Sequence, residues 1–195
     1  MSAAERPPKA AQKVALRDQL LTARNRLSLA ERSRTAARIA EHLLALTDVR
    51  RAASVAAYVS IGSEPGTGLL LDGLLAAGKR VILPVLLPDN DLDWAAYDGR
   101  LASARRGMLE PTGPRLGVDA IATPEVVLLP GLAVGPDGKR LGRGGGSYDR
   151  ALGRVPVGTF TCVLLHDDEL LDHVPSEPHD RPVTAAVTPA GVRRF

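Results

Sequence analysis

Two stretches, "EVVLLPG" (125–131) and "TFTCVLL" (159–165), are apolar at nearly every position over the length of one strand. A strand with one wet face alternates apolar and polar residues. A near-continuous apolar strand is instead covered on both sides, as in a parallel sheet between two helical layers. The rest of the chain agrees. Apolar runs "SVAAYVS" (54–60), "RVILPVL" (80–86) and "DLDWAAY" (91–97) are interleaved with helical stretches over "TGLLLDGLLAAG" (67–78) and from about Ser147 to Gly153. The alternation predicts one α/β domain, a three-layer αβα sandwich around a mostly parallel central sheet.

Two helices precede the first strand. Leu16, Leu20, Ala23 and Leu27 recur at helical spacing, and Lys13, Arg17 and Arg24 form a basic stripe on another side of the same helix. Ser28 and Glu31 have the spacing of a capping box, which predicts a second helix from Leu29 to about Leu46. "MLEPTGPRLGVDA" reads as a long loop. Residues 1–12 read as a disordered tail, and residues 13–195 as the single domain.

A chain of 195 residues with a formal charge of +3 can fill one substantial core, and its basic residues are scattered in pairs. Diffuse charge and few aromatic residues argue against nucleic-acid binding and suit small anionic ligands. The one cysteine, Cys162, excludes an internal disulfide and fits a reducing cytoplasm. Within "TFTCVLL" it reads as a small buried side chain. The opening "MSAAERPPKAAQ" has neither the apolar core of a signal peptide nor the length of a membrane span.

Between the two apolar strands lies "RLGRGGGSYDR" (140–150), with glycine at four of five consecutive positions. Glycine loses the most backbone freedom on folding, so such density needs a reason. A strand, a glycine-rich loop and a helix together often hold phosphate, because glycine lets the backbone approach and the helix start offers free N–H groups. No Lys-Ser or Lys-Thr closes the loop as in a Walker A sequence. "LAVGPDGK" also separates the glycines from the strand, unlike a dinucleotide fold. Arg140 and Arg143 can each donate several charge-assisted hydrogen bonds to phosphate oxygens, while Gly144 to Gly146 clear space. Asp149 beside phosphate is repulsive unless a divalent cation, ordinarily magnesium, lies between them. The plainer alternative is a tight turn, with Asp149 complementing a helix dipole.

Lys13 and Arg17 stand at i and i+4, a like-charge pair that costs a few tenths of a kcal/mol unless something anionic lies between them. Otherwise they form a solvated basic face. Glu64, in "YVSIGSEPGT", follows an apolar strand and precedes a helix, where α/β sheets bind ligands. A surface-loop carboxylate is the alternative. Trp94 and Tyr97 read as core, Glu110-Pro111 as shaping a loop, and His166 as a lone histidine at the ligand edge of a strand.

"KVALR", "AYVSIGSEPGT", "LEPTGP", "LLPGLAVGPDGKRLGRGGGSYDR" and "VPSEPHDRPVTAAVT" occur in the order and approximate spacing of one family. The chain resembles the 5-formyltetrahydrofolate cyclo-ligases, also called methenyltetrahydrofolate synthetases, over nearly its whole length. The resemblance implies an ATP- and magnesium-dependent enzyme that closes the N5-formyl group of 5-formyltetrahydrofolate onto N10. The products are 5,10-methenyltetrahydrofolate, ADP and phosphate, formed through a phosphorylated formyl group. It implies ATP contacts at Lys13 and Arg17 and a phosphate loop over Arg140, Gly142, Arg143, Gly144, Gly145, Gly146, Ser147 and Tyr148. Magnesium falls to Asp149 and Asp180. Folate contacts fall to Val59 and Glu64, with Arg143 to Ser147 also facing the substrate.

Such a reaction asks for positioning and neutralised phosphate charge rather than a protein nucleophile, which assigns Arg140 and Arg143 to the transferring phosphate. The family commonly has two tyrosines before this aspartate. Here the first is Ser147, whose hydroxyl is expected to cap the helix. The partner implied is a small folate, with or without a polyglutamate tail. Alternatives from other classes are a non-catalytic nucleotide-binding α/β protein and a sugar-phosphate or acyl-CoA enzyme on a similar scaffold.

Overall fold

The computed structural model describes residues 8–178 and 180–195, with the side chain of Arg106 excepted. Helices α1 (Lys9–Arg26), α2 (Leu29–Ala45) and α3 (Thr47–Arg51) come first, followed by β1 (Ser54–Ala56), α4 (Gly68–Ala76), β2 (Arg80–Leu86) and β3 (Leu92–Tyr97). Next come the hairpin of β4 (Leu101–Ser103) and β5 (Leu109–Pro111), then β6 (Val126–Pro130). A second small hairpin, β7 (Ala133–Val134) and β8 (Arg140–Leu141), leads into α5 (Ser147–Arg154), and β9 (Phe160–Leu164), β10 (Ala185–Thr188) and β11 (Gly191–Arg194) complete the chain.

Seven of these strands form one sheet in the order β11-β10-β9-β6-β1-β2-β3. The five inner strands run parallel, and β3 and β11 close the edges as antiparallel partners of β2 and β10. The central strands β6, β9 and β10 are buried on both faces. Val126, Leu128, Cys162, Leu164, Ala185 and Val187 face a core shared with Ile39 and Leu43 of α2 and Leu70 and Leu74 of α4. Their neighbours Val127, Leu129, Val163 and Ala186 face a second core with Ala151 and Leu152 of α5. Period-two alternation between two dry layers is why these stretches carry no polar beat. Each such Leu, Val or Ile contributes about 1.5–3 kcal/mol on burial.

Ser28 caps α2 as expected, its hydroxyl accepting from Glu31 N at 3.2 Å while Glu31 Oε2 accepts from Ser28 N at 2.7 Å. Other expectations need correction. α1 begins at Lys9, straight after Pro8, so residues 9–12 are helix and not tail. Residues 1–7 of that tail lie outside the described residues. β1 stops at Ala56, four residues before the end of its apolar run, because the chain leaves the sheet there: Ser60 N donates instead to Thr67 Oγ1 at 2.9 Å. The expected long loop contains β5 and part of a 3-10 turn, Val118–Ala122. Trp94 and Cys162 are buried, as read, and burial pushes the Cys162 thiol pKa up. No helix among the described residues is long and apolar enough to cross a membrane.

Candidate active site

From β1 the chain moves across the sheet to β2 and β3, then returns to β6 on the other side of β1. Connections leaving β1 and β6 therefore diverge, and a crevice opens beyond their carboxyl ends, the usual ligand position in such sheets. A cavity of about 460 Å³ occupies this place. It lies within the few hundred Å³ usual for small-molecule sites. Its walls come from the segment after β1 (Tyr58, Val59, Ile61, Glu64), the end of β6 and the residue after it (Pro130, Gly131), α1 (Lys13, Arg17) and the glycine stretch through Asp149. Every site residue expected from the sequence lines this cavity, including Asp180 from the segment before β10.

The β7–β8 hairpin folds the glycine stretch back over the exit of β6, fixed where Leu132 N donates to Leu141 O at 2.7 Å. Arg140, on β8, is 6% exposed, and its Nη2 meets Asp149 Oδ1 at 3.2 Å. Its guanidinium also lies 5.7 Å from the Tyr148 ring centroid. Burial pulls the Arg140 pKa below its ordinary value despite the charge of Asp149, although arginine stays protonated at neutral pH. Its Nε is a buried donor with no acceptor among the described residues. Gly142 packs close beside it: a Cβ there would sit 2.6 Å from Arg140 Nη1 and displace the guanidinium. Gly144 turns at φ +100°, a conformation that favours glycine, and leaves room for the Arg17 guanidinium.

Asp149 is therefore not isolated: it pairs with Arg140 and stands in the first turn of α5. Ser147 does not cap that helix. Gly146, at φ +69°, takes the cap position, Ser147 is the first helical residue, and no side-chain cap bond forms. A left-handed backbone at the cap suits glycine and moves Ser147 one place too far along the helix.

The two α1 cations that line the cavity each have a protein partner. Lys13, 7% exposed, donates to Asp180 Oδ2 at 2.7 Å and Glu177 Oε2 at 2.8 Å. Burial works against the ammonium, but the hydrogen bonds and charges of Asp180 and Glu177 together outweigh it, and the pKa is raised. Arg17 Nε donates to Gly142 O at 2.8 Å, which ties α1 to the glycine stretch. Arg24, the third member of the basic stripe, does not line the cavity: it is 1% exposed and paired with Glu169.

Glu64 is buried at the opposite wall, with Oε2 accepting from Ile61 N at 2.8 Å and Oε1 3.1 Å from Arg143 Nε. Burial raises its pKa, only partly offset by the bond from Ile61 and the charge of Arg143. A carboxyl whose folded pKa is raised loses stability on ionising as pH climbs through the ordinary carboxylate range. Glu64→Gln is accordingly expected to melt higher than the parent at pH 7, with the gap closing as pH falls below that range. Thermal melts at both pH values check this.

Tyr58, Glu177 and an apolar wall of Pro84, Leu86, Leu92, Met108 and Leu109 also line the cavity and were not read from the sequence. The wall joins β2, β3 and the β4–β5 hairpin, held where Leu86 N donates to Glu110 Oε1 at 3.2 Å. No sequence spacing links those segments. Among the described residues, no three His, Cys, Asp or Glu side chains gather as a preformed metal cage. Asp149 and Asp180, carboxylates on a cavity rich in cations, fit the other common arrangement, magnesium held by one or two carboxylates together with phosphate oxygens.

A family model, the 5-formyltetrahydrofolate cyclo-ligase family, matches residues 9–189. The 5-formyltetrahydrofolate cyclo-ligase of Mycolicibacterium smegmatis is 45% identical over 142 residues, which cover 70% of this chain and 73% of that protein. The one of Escherichia coli is 34% identical over 163 residues, 78% of this chain and 87% of its own. The solution structure of the Aquifex aeolicus 5,10-methenyltetrahydrofolate synthetase superposes with a TM-score of 0.80 at 29% identity, covering 93% of this chain and 92% of the other. The cavity at the switch point, the glycine stretch across it and these matches agree, and the chain belongs to the 5-formyltetrahydrofolate cyclo-ligase family of ligases.

Proposed function

We propose that the protein converts 5-formyltetrahydrofolate and ATP to 5,10-methenyltetrahydrofolate, ADP and phosphate. The observation that carries this is the convergence of cationic arms, glycine loop and buried carboxyl on one cavity. The formyl oxygen attacks the γ-phosphorus, an O–P bond forms, and ADP leaves. N10 then attacks the activated carbon and loses its proton, and the C–O bond breaks to release phosphate.

Each step asks the protein for alignment and for charge to neutralise phosphate oxygens. Arg140 and Arg143 supply that charge. Arg140 is preorganised by Asp149, and its buried Nε has no acceptor among the described residues. Lys13 and Arg17 hold the nucleotide, with the backbone of Gly142, Gly144, Gly145 and Gly146 close to its phosphates and Ser147 and Tyr148 at the helix start. Asp149 and Asp180 would hold magnesium, which when bound neutralises phosphate charge. Val59 and Glu64 face the folate, and the apolar wall suits its aryl ring. The buried Asp180, paired to Lys13, and the quarter-exposed Asp149, paired to Arg140, support the nucleotide half, and the half-exposed Arg143 joined to Glu64 links it to the folate half. Folate-dependent release of ADP tests the assignment: ATP turned over equally with and without 5-formyltetrahydrofolate would defeat it.

A further inference from the structure

Arg24, Glu169 and His166 form a buried polar chain beside the cavity, 1%, 4% and 8% exposed. The Glu169 carboxylate accepts from Arg24 Nε at 2.6 Å, Arg24 Nη2 at 2.8 Å and His166 N at 2.8 Å. Arg24 Nη2 also donates to Gly131 O at 2.6 Å, and His166 Nε2 lies 3.1 Å from Ser63 O. A carbonyl only accepts, so Nε2 carries the proton in that bond. Burying a charged pair is expensive, and apolar residues of similar volume often give equal stability. Stability alone therefore does not account for three such groups in a row.

Their endpoints do. Gly131 follows β6, His166 follows β9, and Ser63 immediately precedes Glu64 in the segment after β1. These are the exits of three adjacent parallel strands at the switch point. The Ser63 carbonyl is the backbone group next to Glu64, whose own side chain is already turned back on Ile61 N. Arg24 is also seven residues, or two helical turns, beyond Arg17, so its anchorage sets the rotation and height at which α1 presents Lys13 and Arg17.

We propose that Arg24, Glu169 and His166 are positioning residues: His166 holds the Glu64 turn for the folate, and the Arg24–Glu169 pair sets α1 for the nucleotide. This rests on the folate and nucleotide assignments above. The test compares His166→Leu, His166→Gln and Arg24→Lys for both KM values, kcat and melting temperature.

His166→Leu removes the donor and is expected to raise KM for 5-formyltetrahydrofolate about tenfold, the worth of one good hydrogen bond, with KM for ATP within about twofold. Glutamine, which can donate the same bond, restores KM to within about threefold. Arg24→Lys cannot reproduce the fork that reaches both Glu169 and Gly131. It is expected to raise KM for ATP about tenfold. A lower melting temperature with both KM values unchanged in His166→Leu and Arg24→Lys overturns the proposal. If His166→Leu does not fold, Arg24→Lys with an unchanged KM for ATP overturns it by itself. Parent enzyme with no folate-dependent turnover would overturn the functional assignment and this proposal together; parent turnover with unmoved variants overturns this one alone.

Discussion

Replacing Arg140 by methionine is expected to lower kcat by about three powers of ten or more, the scale seen when an arginine that stabilises a transferring phosphoryl group is lost. Methionine keeps an unbranched stem in the buried channel, so lost charge and not lost packing dominates. Asp149, the partner left behind, keeps about a quarter of its side-chain surface and can be solvated, so the fold should survive. Lysine is not a conservative substitute, because a compact ammonium cannot meet Asp149 and a phosphate oxygen in one rigid fork. Single-turnover kinetics on Arg140→Met and Arg140→Lys check this. Activity within tenfold of the parent in both would remove Arg140 from the chemistry.

Lys13→Met carries the second large effect, expected in stability and nucleotide binding together. Lys13 bonds two cavity carboxylates, Asp180 nearly buried and Glu177 about a third exposed. Removing one member of a buried pair costs about 3–5 kcal/mol, and the exposure of Glu177 argues for the lower end. Because the Lys13 pKa is raised, its contribution is full at neutral pH and is lost only as pH climbs beyond the ordinary lysine range. Denaturant unfolding of Lys13→Met at neutral pH should show the loss, and ATP titration should show binding weakened about tenfold or more. Equal stability would mean that the carboxylates tolerate each other without the ammonium.

The fold was most legible where burial removes ambiguity. β6 and β9 read directly because both faces of each strand are dry, and α2 read to its cap because Ser28 and Glu31 are local to each other. β10 was missed: alanine-rich "AAVT" has small side chains that fit between two layers but give a weak apolar signal. β7 and β8 are two residues each, too short for any periodicity. β1 was read too long because Ala57 and Tyr58 remain apolar and buried after the chain has left the sheet.

The site divides in the same way. Arg140 to Asp149 lie in one short stretch whose chemistry can be argued locally. Lys13, Glu64 and Asp180 look like ordinary surface charges until the fold brings them to one cavity, and only the family resemblance singled out Asp180. Arg24 was grouped with Lys13 and Arg17 by helical spacing, but its partner Glu169 is 145 residues away and takes it into the interior. His166 looked isolated because its partner is a backbone carbonyl 103 residues away.

The most direct test of the cyclo-ligase assignment is the near-ultraviolet absorbance of the protein with 5-formyltetrahydrofolate and magnesium, followed before and after ATP is added. Growth of the methenyl chromophore only after ATP, with one ADP released per methenyl formed, is the predicted result. A flat absorbance while ATP remains bound would contradict the assignment and leave a nucleotide site whose second substrate is not this folate.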